Sequence, residues 1–265
     1  MDLSPYLEAA KRAALLGGAV LKEHFGKIKR KDVGQKALND FVTYVDRLSE
    51  ETIKAFLRDR FPCSSFLAEE SGSSGDGVLL WIIDPLDGTT NYIHAFPFFS
   101  VSISLMKAGE ILVGVIYDPL RDDLFTALKG GGAFKNDRRI HVNPSRELGE
   151  IMLATGFPFR AREKITPYLD AFRELFLKTL GIRRAGSAAL DLAYVAAGTF
   201  GGFFEIGLST WDIAAGCLLV REAGGVITDF QGGDDYLRTG NVVAANPHVH
   251  AEILKAVKRY FPDMR

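Results

Sequence analysis

Cysteine is nearly missing: Cys63 and Cys217 are the only two, far apart and outside any Cys-x-x-Cys pair. That excludes a disulfide framework and a cysteine-built zinc site, and it fits a reducing compartment. Long apolar runs are missing too, so no stretch has the length of a membrane span. The N-terminal stretch "YLEAAKRAALLGGAVLKEHFG" is punctuated by Glu8, Lys11, Arg12, Lys22 and Glu23, unlike a secretory leader. A cytoplasmic protein without membrane association is expected. Neither sign of charge is in excess, the formal net charge being −1, so no nucleic-acid or anionic-membrane surface is indicated. The basic clusters Lys27-Ile28-Lys29-Arg30-Lys31 and Arg138-Arg139 read as solvated loop charge.

Several catalytic signatures are absent as well. There is no Gly-x-Ser-x-Gly, no Gly-x-x-x-x-Gly-Lys-Ser/Thr, and no Gly-x-Gly-x-x-Gly between strand and helix. The histidines, at 24, 94, 141, 248 and 250, form no His-Glu-x-x-His pair, and His248 and His250 read as surface residues. A serine-nucleophile hydrolase, a P-loop enzyme and a His-ligated metalloprotease all lose their usual marks.

What the chain does have is core-forming material: 265 residues, 47% hydrophobic and 25% charged, enough for one large domain or two subdomains. Helical periodicity runs through Leu7, Ala10, Ala14, Leu21 and Phe25 to Gly26; a basic loop follows, then an amphipathic helix in "SEETIKAFLRDRFP". "SSFLAEE" is a short apolar push, and "SGSSGDG" has loop composition. From "VLLWIID" to "DLFTALKG" the pattern is strands, with "GGGAFKNDRRIHV" as a further hairpin. Helices are expected in "EKITPYLDAFRELFLKTL", in "GSAALDLAYVAAG" up to Gly198, in "DIAAGCLLVREAGG" up to Gly224 or Gly225, and in "PHVHAEILKAVKRYF". Strands are expected in "GGFFEIG", "GVITDF" and "NVVAAN". Strands first and alternating helix and strand later suggest two layered subdomains, 1–148 and 149–265, acting as one catalytic unit.

The remaining chemistry is carboxylate chemistry. Glu69 ends one apolar run, Asp84 and Asp87 end another, and Asp212 opens a helix. Singly, each has a bland reading: Asp212 as an N-cap, Asp84 as the opening of a turn before Pro85. Together they are the oxygen donors a hard divalent cation requires. The Asp-Pro-Leu-Asp spacing can direct both side chains and the Leu86 carbonyl to one point. Gly88 then permits close backbone approach, and Thr89-Thr90 begin a segment whose N–H groups suit an anion. Clustered carboxylates repel without a cation, so some should hold protons when metal is absent.

"WIIDPLDGTTNYIHAFPFFSVSI" together with "WDIAAGCLLVREAGG" resembles the inositol monophosphatase family of magnesium-dependent, lithium-sensitive phosphomonoesterases. The resemblance continues through "FVTYVD", "FLAEES", "GVIYDP", "GGGAF", "AGSAALDLAYVAAG" and "NVVAAN", and so covers nearly the whole chain. Here "AEES" stands where the family's acidic segment is GEES-like. The resemblance implies an α/β (α+β) fold, a layered α/β/α/β/α sandwich shared with fructose-1,6-bisphosphatases, with its site at the subdomain junction, and a homodimer. It implies that Glu69, Asp84 and the Leu86 carbonyl hold one Mg²⁺, that Asp84, Asp87 and Asp212 hold a second, and that Glu69 contacts a weaker third. The Gly88 and Thr89 amides would hold the substrate phosphate. The Thr89 hydroxyl and Glu69 would orient water, with Asp46 hydrogen-bonded to Thr89. Gly186, Ser187, Ala188 and Glu205 match positions that touch the polyol, and Asp212 lies close to its hydroxyls. Arg184, with Arg183, suits a second phosphate as readily as a solvent-facing strand end.

The implied activity is Mg²⁺-dependent hydrolysis of a phosphate monoester, inositol 1-phosphate foremost, by activated water without a covalent intermediate. Alternatives are a fructose-1,6-bisphosphatase or dual-specificity sugar phosphatase. At 265 residues the chain is short of the insertions that 3′-phosphoadenosine nucleotidases carry. A reading of another class is an RNA-polymerase-associated regulatory protein, since bacterial relatives resembling this chain bind the transcription machinery.

Overall fold

A computed structural model of the chain describes residues 1–29, 32–37, 40–158 and 161–264. Helix α1 (Ser4–His24) leads through a hairpin, β1 (Val33–Ala37) and β2 (Asp40–Thr43), into α2 (Tyr44–Arg60). Then come β3 (Ser65–Ala68), β4 (Gly72–Ser74), β5 (Leu79–Asp87), the short α3 (Thr89–Ile93), β6 (Ser100–Lys107), β7 (Glu110–Asp118), β8 (Asp123–Leu128), β9 (Gly132–Lys135) and β10 (Arg138–Ile140). The remainder alternates: β11 (Met152–Thr155), α4 (Ile165–Phe176), β12 (Gly181–Arg183), α5 (Ala188–Ala196), β13 (Gly202–Glu205), α6 (Thr210–Glu222), β14 (Val226–Thr228), α7 (Tyr236–Thr239), β15 (Val242–Ala245) and α8 (His250–Tyr260).

Strands β3 to β10 form one sheet in the order β10-β9-β8-β7-β6-β5-β3-β4, antiparallel except for the β3/β5 pair. Strands β11 to β15 form a second, ordered β12-β11-β13-β15-β14. Side-chain alternation along β5 assigns the layers. Trp81 and Ile83 face one way, into a core with Ala10, Ala14 and Leu21 of α1 and Ile53 and Leu57 of α2. Ile82 faces the other way, against Leu192 and Leu219 of α5 and α6. The far side of α5 and α6 meets Ala154, Phe203 and Ala244 of the second sheet. The other face of that sheet, Leu153, Phe204 and Val243, packs on Tyr168 of α4 and Ile253 of α8. The architecture is therefore α/β/α/β/α. Because α5 and α6 are covered on both sides, α5 is apolar nearly all round, as a buried helix must be.

Glycines set how closely α1 approaches: a Cβ on Gly17 would stand 2.6 Å from Ile53, and one on Gly18 2.5 Å from Tyr117. Elsewhere the elements differ from the sequence expectations in instructive ways. Residues 30 and 31 of the first basic cluster lie outside the described residues; after them a hairpin stands where a loop was expected, and α2 starts at Tyr44 rather than near Ser49. Part of "SGSSGDG" is not loop: β4 pairs antiparallel with β3 as an edge strand. Strands β11 and β12, at most four residues each, are too short to show a period. His250 is buried, with Nε2 3.1 Å from the Thr228 hydroxyl, which corrects its surface reading, whereas His248 is exposed. No described helix is long and apolar enough to cross a membrane.

Candidate active site

Two aspartates three residues apart should point to opposite faces of a strand. In β5 they do not, because the β5/β6 register shifts between Asp84, opposite Ser102, and Asp87, opposite Ser100. One extra residue is absorbed in a bulge, and both carboxylates emerge on the same side. Pro85, which has no N–H to give the ladder, sits in that bulge. Its carbonyl accepts a hydrogen bond from the Ser49 hydroxyl of α2 at 3.1 Å. Strand β3 runs parallel to β5 with Ala68 opposite Ile83, and the Glu69 amide donates to the Ile83 carbonyl, so Glu69 arrives beside Asp84.

Backbone amides hold each aspartate through one oxygen. Asp84 Oδ1 accepts from the Leu86 amide at 3.0 Å, and Asp212 Oδ2 from the Ser209 amide at 2.8 Å. Ser209, not Asp212, is the N-cap of α6, and Asp212 is its capping-box partner. Asp87 Oδ2 accepts from the Ser187 hydroxyl at 2.6 Å and the Ala189 amide at 2.8 Å. Asp46, the capping-box residue of α2, accepts from the Thr43 amide and hydroxyl with Oδ2. The Thr89 hydroxyl stands 3.1 Å from both Asp46 Oδ1 and the Leu86 carbonyl, and has one proton to give.

These groups surround a cavity of about 370 Å³ whose lining includes Glu69, Asp84, Leu86, Asp87, Gly88, Thr89, Arg184, Gly186, Ser187, Ala188, Glu205 and Asp212. Asp46 stands behind it, in contact through Thr89. Both arginines are exposed; Arg184 also reaches the lining, its guanidinium 5.8 Å from the Phe157 ring, while Arg183 ends β12 away from it. Gly88 adopts φ +99°, and a Cβ there would stand 3.1 Å from the Phe98 carbonyl and 3.2 Å from that of Gly186, so two backbone segments meet across it. Glu205 ends β13 over Gly156, where any Cβ would overlap its carboxylate.

Among the described lining residues stand five carboxylates and one cation, Arg184. Burial, followed by the charges of Glu69, Asp87 and Asp212, pushes Asp84 well above the usual carboxylate range, and Asp84 and Glu69 share a hydrogen bond. Burial raises Asp87 to about 6, against the hydrogen bonds from Ser187 and Ala189 that favour its charged form. Asp46 is raised by burial despite its bonds to Thr43 and Thr89. Among the described residues no three His, Cys, Asp or Glu side chains already stand in a finished ligand arrangement. The donor set nevertheless suits a hard cation: it is all oxygen, buried or half-buried, and short of positive charge among the described residues. A cation there would bind in competition with protons on these carboxylates.

Sequence reasoning missed four supporting residues. Two of them, Ser49 and Glu50, share the buried face of α2 with the expected Asp46, a polar patch at 3- and 4-residue spacing where core side chains belong; that signal was readable. Glu50 receives the Glu70 and Ser71 amides at 2.8 and 3.1 Å and so fixes the turn after Glu69. Asn91 Nδ2 donates to the Phe98 and Ala185 carbonyls, tying the segment after Gly88 to the one before Gly186. Asp191 is buried on α5, its Oδ1 without a hydrogen-bond partner; burial, then Glu205 and Asp87, push it well above its ordinary range, while Arg184 opposes. Nothing local marks Asp191, since its neighbours come from β5 and β13.

Residues 2–261 match the family model described as "Inositol monophosphatase family". The chain is 46% identical over 263 residues to "Nus factor SuhB" of Salmonella typhimurium, covering 98% of each chain. It is equally 46% identical to an "Inositol-1-monophosphatase" of Mesorhizobium japonicum, again covering 98% of each. The crystal structure of the extragenic suppressor protein suhB from Bartonella henselae superposes with a TM-score of 0.93 at 44% identity, over 96% of this chain and 99% of that one. With motifs, fold and whole-length similarity in agreement, the chain belongs to the inositol monophosphatase family.

Proposed function

We propose that this chain is a Mg²⁺-dependent phosphomonoesterase that hydrolyses inositol 1-phosphate by attack of water, without a covalent intermediate. The observation that carries this is the buried Asp84, crowded by Glu69, Asp87 and Asp212 in one cavity. Fully ionised, that lining would repel any phosphate dianion. Divalent cations reverse this: bound there, Mg²⁺ neutralises the ester, acidifies water and stabilises the leaving oxygen. Glu69, Asp84 and the Leu86 carbonyl would hold one ion, and Asp84, Asp87 and Asp212 another, with Glu69 reaching a third. Gly88 and Thr89, opening α3, present backbone amides to the phosphate. The Thr89 hydroxyl, whose proton goes to Asp46 or the Leu86 carbonyl, keeps a lone pair to orient water. Glu205 and the Ala188 backbone face the departing alcohol, and the cavity of about 370 Å³ has room for a single sugar-sized ring.

Arg184 supports a second substrate, fructose 1,6-bisphosphate, because it brings a guanidinium to the polyol side of the lining. A role beside catalysis is supported by the similarity to "Nus factor SuhB": an outer surface that engages RNA polymerase or its associated factors. Pairing as a homodimer is supported by the exposed Ile165, Leu169 and Phe176 of α4 and by Leu177 and Leu180 after it. The deciding experiment is phosphate release at saturating Mg²⁺ from inositol 1-phosphate, fructose 1,6-bisphosphate, glycerol 2-phosphate and 3′-phosphoadenosine 5′-phosphate. The highest kcat/KM is expected for inositol 1-phosphate. A near-zero profile across all four would overturn the enzymatic reading in favour of the regulatory one.

A further inference from the structure

Ser187 matches a position expected to touch the polyol, but its hydroxyl is otherwise engaged. Oγ is 2.6 Å from Asp87 Oδ2 and 3.3 Å from the Leu190 amide, for which it serves as the N-cap acceptor. Ser100 Oγ lies 3.4 Å away. The side chain is 1% exposed. A hydroxyl has one proton, and the short bond to a carboxylate claims it. The Ala189 amide reaches the same Asp87 oxygen at 2.8 Å, and the Ala188 amide also favours the ionised form. Asp87 belongs to the first sheet and Ser187 to the helix between the sheets, 100 residues later.

We infer that Ser187 is a positioning residue for Asp87: through it the first turn of α5 fixes that carboxylate where it lines the cavity, so cation affinity on β5 depends on a contact made by the later half of the chain. The inference rests on the metal reading above. It predicts a defect in Mg²⁺ binding and none in recognition of the alcohol. Loss of one hydrogen bond to a charged carboxylate corresponds to about a tenfold or greater loss of affinity.

The test is the Mg²⁺ dependence of the melting temperature, without substrate, for wild type, Ser187→Ala, Ser187→Gly and Ser187→Thr, with KM for inositol 1-phosphate measured at saturating Mg²⁺. Glycine is tolerated at an N-cap and lacks the hydroxyl, so it serves if the alanine variant folds poorly. Ser187→Ala and Ser187→Gly are expected to raise the half-effective Mg²⁺ concentration about tenfold and leave KM within twofold; Ser187→Thr is expected to restore the wild-type dependence. An unchanged Mg²⁺ midpoint with a raised KM would return Ser187 to the polyol side. An unchanged midpoint and KM with only a lowered melting temperature would make it a helix cap and nothing more. A wild type that does not respond to Mg²⁺ would instead overturn the metal reading itself.

Discussion

Asp84→Asn is expected to lower phosphate release at least about 10³-fold, equivalent to about 4 kcal/mol of barrier, and at the same time to raise the melting temperature of the metal-free protein. The two effects share one cause. Asp84 is 1% exposed and surrounded by three other carboxylates, so without a cation its charge is a liability. The amide keeps the volume, can still accept from the Leu86 amide through its oxygen, and carries no charge for Glu69, Asp87 and Asp212 to oppose. Each kcal/mol gained would appear as roughly 2–4 °C for a chain of this size. The variant should also lose the stabilisation that Mg²⁺ gives the wild type. Side-by-side melting curves with chelator and with Mg²⁺, plus initial rates, check all three. A variant that hydrolyses ester at the wild-type rate would place the metal centre elsewhere.

The second large effect is a pH dependence that Mg²⁺ weakens. Asp87 is raised from 3.8 to about 6 in the folded chain, and burial and the neighbouring carboxylates raise Asp84 as well. Over that interval the folded state binds more protons than the unfolded one, so rising pH favours unfolding. With chelator present, the contribution of these groups to stability should therefore be greatest at about pH 4 and be lost progressively as pH rises to about 6. Asp46 and Asp191 are raised by burial and add the same sign. Mg²⁺ competes with protons at Asp84 and Asp87, so its stabilisation should be larger at pH 8 than at pH 5. At a hundredfold excess over Kd it is about 2.7 kcal/mol, or roughly 5–10 °C. The slope owed to Asp46 and Asp191 should remain. A melting temperature indifferent to Mg²⁺ at pH 8 would contradict the assignment.

How much of this was legible in the chain varies with where the cause lies. Strand β5 was readable because it is buried on both faces and so spells a continuous apolar run; the bulge that turns Asp84 and Asp87 to one side was not, since it depends on the register against β6. Helices α5 and α6 were readable from small and apolar residues ended by glycine, and Gly198 and Gly224 do take positive φ after them. The β1/β2 hairpin and β11 escaped, although the equally short β13, β14 and β15 were read from apolar runs bounded by glycine or asparagine. His250 was misplaced because a polar residue at a helix start looks solvated until β14 is known to cover it. The carboxylates could be listed from the sequence, but not their partners: Asp87 meets Ser187, and Asp191 is influenced by Glu205 and Asp87, only through the packing of α5 between two sheets. Ser49 and Glu50 could have been found beside Asp46, since their spacing from it marks one face of α2.

The most direct measurement is the rate of phosphate release from inositol 1-phosphate by chelator-treated protein as Mg²⁺ is returned. The account predicts no release without the cation, a saturable rise on addition, and loss again with excess chelator while the protein stays folded. Release that proceeds unchanged in chelator would contradict it.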